Sequence, residues 1–337
     1  MIVPSRLIHR LEPYKDECIT GFLMRVANKN SLRSPLELLN YVTHSMSATV
    51  QYKQIPEIAF FCRNSIDELL QLSGYQKWVN SEPQWSLQSE WLTKSVFVQS
   101  RYSRVCSMCV EETPFLRSLW SISFYTHCAW HNCPLLERCP DCKRMLQWDR
   151  RLPDYCSCRH YLPTAITRLP HGNSLLLSKT IAYRLTNDSL IKINFEDQLL
   201  FERLAVLSVD GICKTIWFLG HCIPELGSHL SGHGRKKPTA VEFETMVNEA
   251  FKILIDWPDA IGKKLDHHLH QILEPEFTAV AFHYLLRPLD HYLRTSLDHP
   301  ELCFIGNVYE QYLQKIWSKS GKKNTGSRYE KQLNLGF

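Results

Sequence analysis

The sequence is short of several things. Among its 337 residues there is no run of about 18 or more uninterrupted apolar side chains, so no membrane span is expected. The opening MIVPSRLIHRLEPYKDE has no apolar core of the secretory kind, so a reducing, cytoplasmic setting is expected. Phosphate loops of the Walker type, G-x-G-x-x-G turns and G-x-S-x-G elbows are all missing, which removes the usual nucleotide-binding and hydrolase signatures. No repeat of solenoid period occurs. Charge of one sign is not in great excess: 39 Lys and Arg face 34 Asp and Glu, a net +5 that permits contact with nucleic acid without demanding it. What remains, 44% apolar and 22% charged, describes an ordinary globular chain long enough for two or three domains.

What the sequence has is cysteine, thirteen of them, an odd number, most of them crowded into one segment. In a reducing compartment, pairs at C-x-x-C spacing read as metal ligands rather than disulfides. Cys106 and Cys109 are followed by Cys128 and His131, enough for a closed tetrahedral site of three thiolates and one imidazole. Cys139 and Cys142 with Cys156 and Cys158 supply a second set. The last pair has a single intervening residue, so His160 is an alternative to Cys158, and interleaved pairing between the sets stays open. Two structural Zn2+ ions per chain follow. Four protein ligands leave no open position for a substrate, so no catalytic residue is assigned there. Residues 101–160 carry nine Lys and Arg against six Asp and Glu. Seven thiolates and two zinc ions bring that segment to neutrality, so it is not a basic module. Arg138, Lys143, Arg144, Arg150 and Arg151 read equally well as a local basic patch or as neutralisers of the zinc-thiolate centres.

Around this segment the pattern is helical. Ile19, Phe22, Leu23, Val26 and Ala27 share helical spacing in a stretch beginning at Asp16. Ser34-Pro35-Leu36-Glu37 and Ser65-Ile66-Asp67-Glu68 are helix starts, with Gly74 placed to end the second helix. Asp197 to Cys222 carries a further apolar helical set, and Thr239-Ala240-Val241-Glu242 opens a helix that stops before Pro258. The fold class expected is mainly α. It comprises an N-terminal helix-turn-helix-like domain over 1–100, a tandem zinc module over 101–165 and a C-terminal helical domain over 166–320. A basic linker falls near 232–238 and a flexible basic tail over 321–337.

Other side chains bear on chemistry. His127 to Asn132, with His171 and Asn173, contain the elements of a zinc-stapled His-Asn-His nuclease, but His131 is needed by the metal and no acidic residue is placed for a catalytic cation. Trp120, Phe124, Tyr125, Trp130 and Trp148 favour a small core over base stacking. Cys18, Cys62, Cys133, Cys213, Cys222 and Cys303 read as ordinary, mostly buried cysteines. His267, His268 and His270 read as a solvated helix face. Arg25, Lys29 and Arg33 would be phosphate contacts if an N-terminal helix entered the major groove.

Pro13-Tyr14-Lys15-Asp16-Glu17, with Phe22, Arg25, Ala27 and Asn30, resembles the opening of TniQ-family proteins. The same family is resembled by Cys106-x-x-Cys109, Leu119-Trp120, Cys128-x-x-His131, Pro134-Leu135 and Cys139-Pro140-x-Cys142. Together these cover roughly residues 10–165. Departures are Cys18, where a small hydroxyl residue is usual, and Asn132-Cys133 in place of the common glycine. The resemblance implies a bacterial, non-catalytic adaptor that selects targets for DNA transposition. Its implied partners are the AAA+ regulator TnsC, a Cascade-type CRISPR effector with guide RNA, target DNA reached directly or through that effector, and a second copy in a homodimer. A site-specific DNA reader of the longer TnsD type is the alternative within the family. Modest length and charge favour the adaptor.

Overall fold

Ile19–Lys29 (α1) begins where Cys18 turns the backbone extended and its sulfur accepts the Gly21 N–H at 3.3 Å. A thiol thus does the capping that serine or threonine does elsewhere. Pro35–Thr43 (α2) starts on the Ser34 cap, as its sequence predicts, with the Glu37 N–H on Ser34 Oγ at 3.3 Å. Ile55–Cys62 (α3) and Ile66–Leu70 (α4) follow, the latter inside a full capping box between Ser65 and Glu68. These four helices close one apolar core through Phe22, Leu23, Leu38, Leu39, Ile58, Phe61 and Leu69. The computed structural model that shows this describes residues 6–44, 47, 49–100, 102–164, 172–221, 238–272, 289, 293 and 300–319. All but the last residue of the expected linker at 232–238, the tail at 321–337, Cys222 and His171 lie outside the described residues.

The first hundred residues are not all helix. Helix α4 stops at Leu70, short of Gly74, whose φ of 94° turns the chain into a three-stranded antiparallel sheet. Its strands are Gln76–Val79 (β1), Glu82–Leu87 (β2) and Glu90–Leu92 (β3). Trp85 pairs with Gln76 on one side and Leu92 on the other, and Asn80 and Ser81 make the first hairpin turn with φ of 49° and 65°. The alternation is hidden in the sequence because two tryptophans, Trp85 and Trp91, fall on opposite faces of neighbouring strands.

Beyond the cysteine segment come Asn173–Thr186 (α6), Gln198–Ala205 (α7) and Val209–Gly220 (α8), after a short helix Ser107–Glu112 (α5) within that segment. The single apolar stretch expected from Asp197 to Cys222 is two helices, because Ser208 interrupts it: its hydroxyl accepts the Gly211 N–H at 3.0 Å and restarts the chain as α8. The sheet is tied to this region. Glu90 accepts the Val209 N–H at 2.6 Å and pairs with Arg184 at 3.0 Å, while Asp210 holds Thr93 through both backbone and hydroxyl. Ala240–Ile255 (α9) opens on the expected Thr239–Glu242 box and ends before Pro258. Gly220 lies so close to it that a Cβ there would collide with the Met246 backbone.

Two compact units divide the chain, one of residues 1–220 with 236–251, the other of residues 221–235 with 252–337. In the second, Asp259–Ile272 (α10) buries Ile261 and Leu265, Cys303–Lys319 (α11) buries Ile305 and Tyr309, and the Tyr312 hydroxyl donates to Asp266 at 2.7 Å. No described helix is long and apolar enough to cross a membrane.

Candidate metal centres

Each ligand pair sits on a tight turn whose backbone points at sulfur. Cys106 caps α5, and its Sγ accepts the Cys109 N–H at 3.5 Å. Cys128 does the same for the His131 N–H, also at 3.5 Å. A helix N-terminus and inward N–H groups both favour thiolate over thiol. Short antiparallel bridges close the other turns: His127 with Pro134, Arg138 with Met145, and Tyr155 with Tyr161. Left-handed residues make each reversal, at Asn132, Lys143 and Arg159 with φ of 50°, 60° and 73°.

These turns bring eight ligand atoms into two groups of four, Cys106, Cys109, Cys128 and His131, and Cys139, Cys142, Cys156 and Cys158, each with its atoms within 4.8 Å of one another. His131 presents Nδ1 to all three sulfurs at 3.3–3.5 Å. Cys109 and Cys128 sulfurs are 3.6 Å apart, and in the second group Cys139–Cys158 and Cys142–Cys156 are each 3.7 Å apart. Zinc–sulfur bonds of about 2.3 Å in a tetrahedron place ligand sulfurs about 3.8 Å apart. Donor types and spacing therefore fit zinc, and both groups can hold a metal ion. Pairing is sequential rather than interleaved. Cys158 completes the second group, while His160 directs Nε2 to the Thr164 hydroxyl at 3.3 Å.

Sulfur crowding shapes the electrostatics. Contact with Cys109 and Cys128 pulls the Cys106 thiol down to about 7, and contact with Cys106 and Cys128 pushes Cys109 far up. Contact with Cys128 raises His131 to about 10. In the second group the Arg144 backbone N–H and guanidinium hold Cys142 down to about 6, while burial lifts Cys156 to about 12. Neighbouring thiolates of one sign compete for charge, and a central divalent cation removes that competition. Sequence reasoning misses one supporting residue. Glu112, one helical step beyond Cys109, accepts from His131 Nε2 at 3.0 Å and so fixes which ring nitrogen faces the sulfurs. Its signal in the sequence is the i, i+3 spacing from Cys109.

The arginines divide by burial. Arg150 is 2% exposed and spends its guanidinium on Ser103 Oγ and the carbonyls of Gln147, Leu152 and Pro153, so it is not placed to meet phosphate. Arg104, which no sequence motif singles out, does likewise with the carbonyls of Trp120, Ile122 and Ser123. Arg25 is bound at 2.6 and 2.8 Å by Glu17, so it too is structural rather than a phosphate contact. Lys29, Arg33, Arg144 and Arg151 are exposed. Arg151 reaches across to Asn28 Oδ1 at 2.8 Å, bringing the second metal segment beside the end of α1.

Trp120, Phe124 and Tyr125 are core residues, and Phe124 meets Phe243 edge-on at 4.8 Å. Trp130 is half-buried, donates to Asp188 at 2.9 Å and carries the Arg117 guanidinium over its ring, while Trp148 is half-buried. Of the nuclease candidates, His171 lies outside the described residues, and the others are engaged elsewhere. His127 shares its Nδ1 with Thr126, Asn173 donates to Asn248, and no third metal-binding group exists among the described residues. His267 is exposed, and the side chains of His268 and His270 lie outside the described residues. Cys18, Cys62, Cys133 and Cys213 are buried, but Cys303 is exposed.

The TniQ family model matches residues 8–135 of the chain. It spans the four-helix core, the sheet and the first metal group, and stops before the second. Curated proteins provide no match.

Proposed function

Starting from a TniQ domain over residues 8–135, the domain of a family of transposition target-selection proteins, we propose that this chain is a non-catalytic adaptor in DNA transposition. It links a Cascade-type effector and its guide RNA to the AAA+ regulator TnsC, acts as a homodimer and uses two zinc ions as structural staples. The carrying observation is the burial of α1. Ile19, Gly21, Phe22, Leu23, Met24, Val26 and Ala27 all face protein, and Arg25 is committed to Glu17. A helix that reads base edges needs a free face, and α1 has almost none. Closed metal groups likewise offer no position for a substrate.

The test is co-purification of the full chain with a matched Cascade-type complex and, separately, with TnsC. Retention of both at moderate salt is expected, and failure to retain either overturns the adaptor reading. One observation favours direct DNA contact instead: Arg151 lies against Asn28, next to exposed Lys29. Tight, site-specific binding of a duplex by the isolated protein would establish that alternative.

A further inference from the structure

Cys133 stands outside both groups of four, yet its sulfur is 3.6 Å from Cys106 Sγ, the spacing that Cys109 and Cys128 keep as members of the group. It is 4% exposed and firmly held. The Cys128 N–H donates to its carbonyl at 2.7 Å, and the left-handed Asn132 donates to the Cys128 carbonyl at 2.9 Å. The first centre therefore has a fourth sulfur at ligand spacing from one of its ligands. His131 is the member most open to loss. It alone of its group is not buried, and its support, Glu112, is 63% exposed.

We infer that Cys133 is a reserve ligand of the first metal centre. When the imidazole leaves, one zinc–nitrogen bond breaks, Cys133 Sγ forms a zinc–sulfur bond, and the thiol proton passes to the freed imidazole or to solvent. The mixed thiolate-imidazole set becomes an all-thiolate set of four, equally closed and structural. The inference rests on the metal reading of the site, and the two are tested separately. The full chain holding no zinc would overturn the metal reading.

Cys133 is tested by elemental analysis of the full chain with His131→Ala and with His131→Ala/Cys133→Ala, folding being followed by circular dichroism. The single variant is expected to keep two zinc ions, one per group, and the double variant only one. Loaded with Co2+, the single variant should show stronger sulfur-to-metal charge-transfer absorption than the unaltered chain. A folded His131→Ala protein with one zinc, or a double variant with as much zinc as the single, overturns the proposal. Cys133→Ala alone keeps every ligand of both groups and provides a second measurement that does not disturb them. It should surrender zinc to a chromogenic chelator several-fold faster than the unaltered chain, and an unchanged rate overturns the proposal.

Discussion

Glu17 receives the Arg25 guanidinium on both carboxylate oxygens and the Tyr14 backbone N–H at 3.0 Å, while the Arg25 guanidinium lies 4.2 Å from the centre of the Tyr14 ring. The motif that carries the family resemblance is thus a packed joint. Arg25→Ala strands a carboxylate that is 0% exposed at its side chain, and should cost about 3–5 kcal/mol in urea unfolding. Lys29→Ala, at the exposed end of α1, should stay within about 0.5 kcal/mol. Cys109→Ala opens the first group. A stability loss on the order of several kcal/mol is expected in urea unfolding. At the second group Arg144 holds Cys142 down to about 6, which favours the thiolate that binds metal. Arg144→Ala keeps the backbone N–H, the larger cause, and removes only the guanidinium's share, so that pKa rises part of the way and protons compete at somewhat higher pH. The pH of half-loss of the second zinc should move upward in a chelator titration.

At the scale of elements, Gly21 marks where α1 meets the loop between the ligands Cys109 and Cys128, at Leu116. A Cβ there would lie 2.8 Å from Leu116 Cβ, a backbone-proximal atom that cannot swing away. Gly21→Ala should therefore destabilise by about 1–3 kcal/mol, read as a lowered urea midpoint. The helix starts were legible because serine, proline and glutamate act on the backbone locally, as at Ser34, Ser65 and Thr239. Metal ligands were legible because turn geometry fixes their spacing. The sheet was not, because its short strands are stabilised by partners far along the chain, such as Glu90 with Val209 and Asp210 with Thr93. The fate of Arg25, Arg104 and Arg150 was equally hidden. Burial of a guanidinium depends on carbonyls that only the folded loops bring together.

On the scale of the first compact unit, α8 and the opening of α9 do not stand apart from the metal segment. Phe97, Phe124, Trp217 and Phe243 form one aromatic cluster that joins the segment to α8 and α9. Phe243→Ala should lower the thermal midpoint of the first unit, through loss of about 3–5 kcal/mol, without changing its zinc content. A calorimetric scan together with elemental analysis checks both halves of that expectation.

Arg117 ties these scales together. Its guanidinium pairs with Asp16 at 2.5 Å and lies over the rings of Phe115 and Trp130, the latter set between the ligands Cys128 and His131. On the far side of Asp16, the Ser118 N–H holds the Asp16 carbonyl at 2.8 Å, and the Cys18 N–H holds Leu116. Stripping the metal from the first group would therefore loosen the anchorage of α1. A protease sampling the demetallated chain would find its earliest cleavage around residues 13–18, well away in sequence from any cysteine ligand.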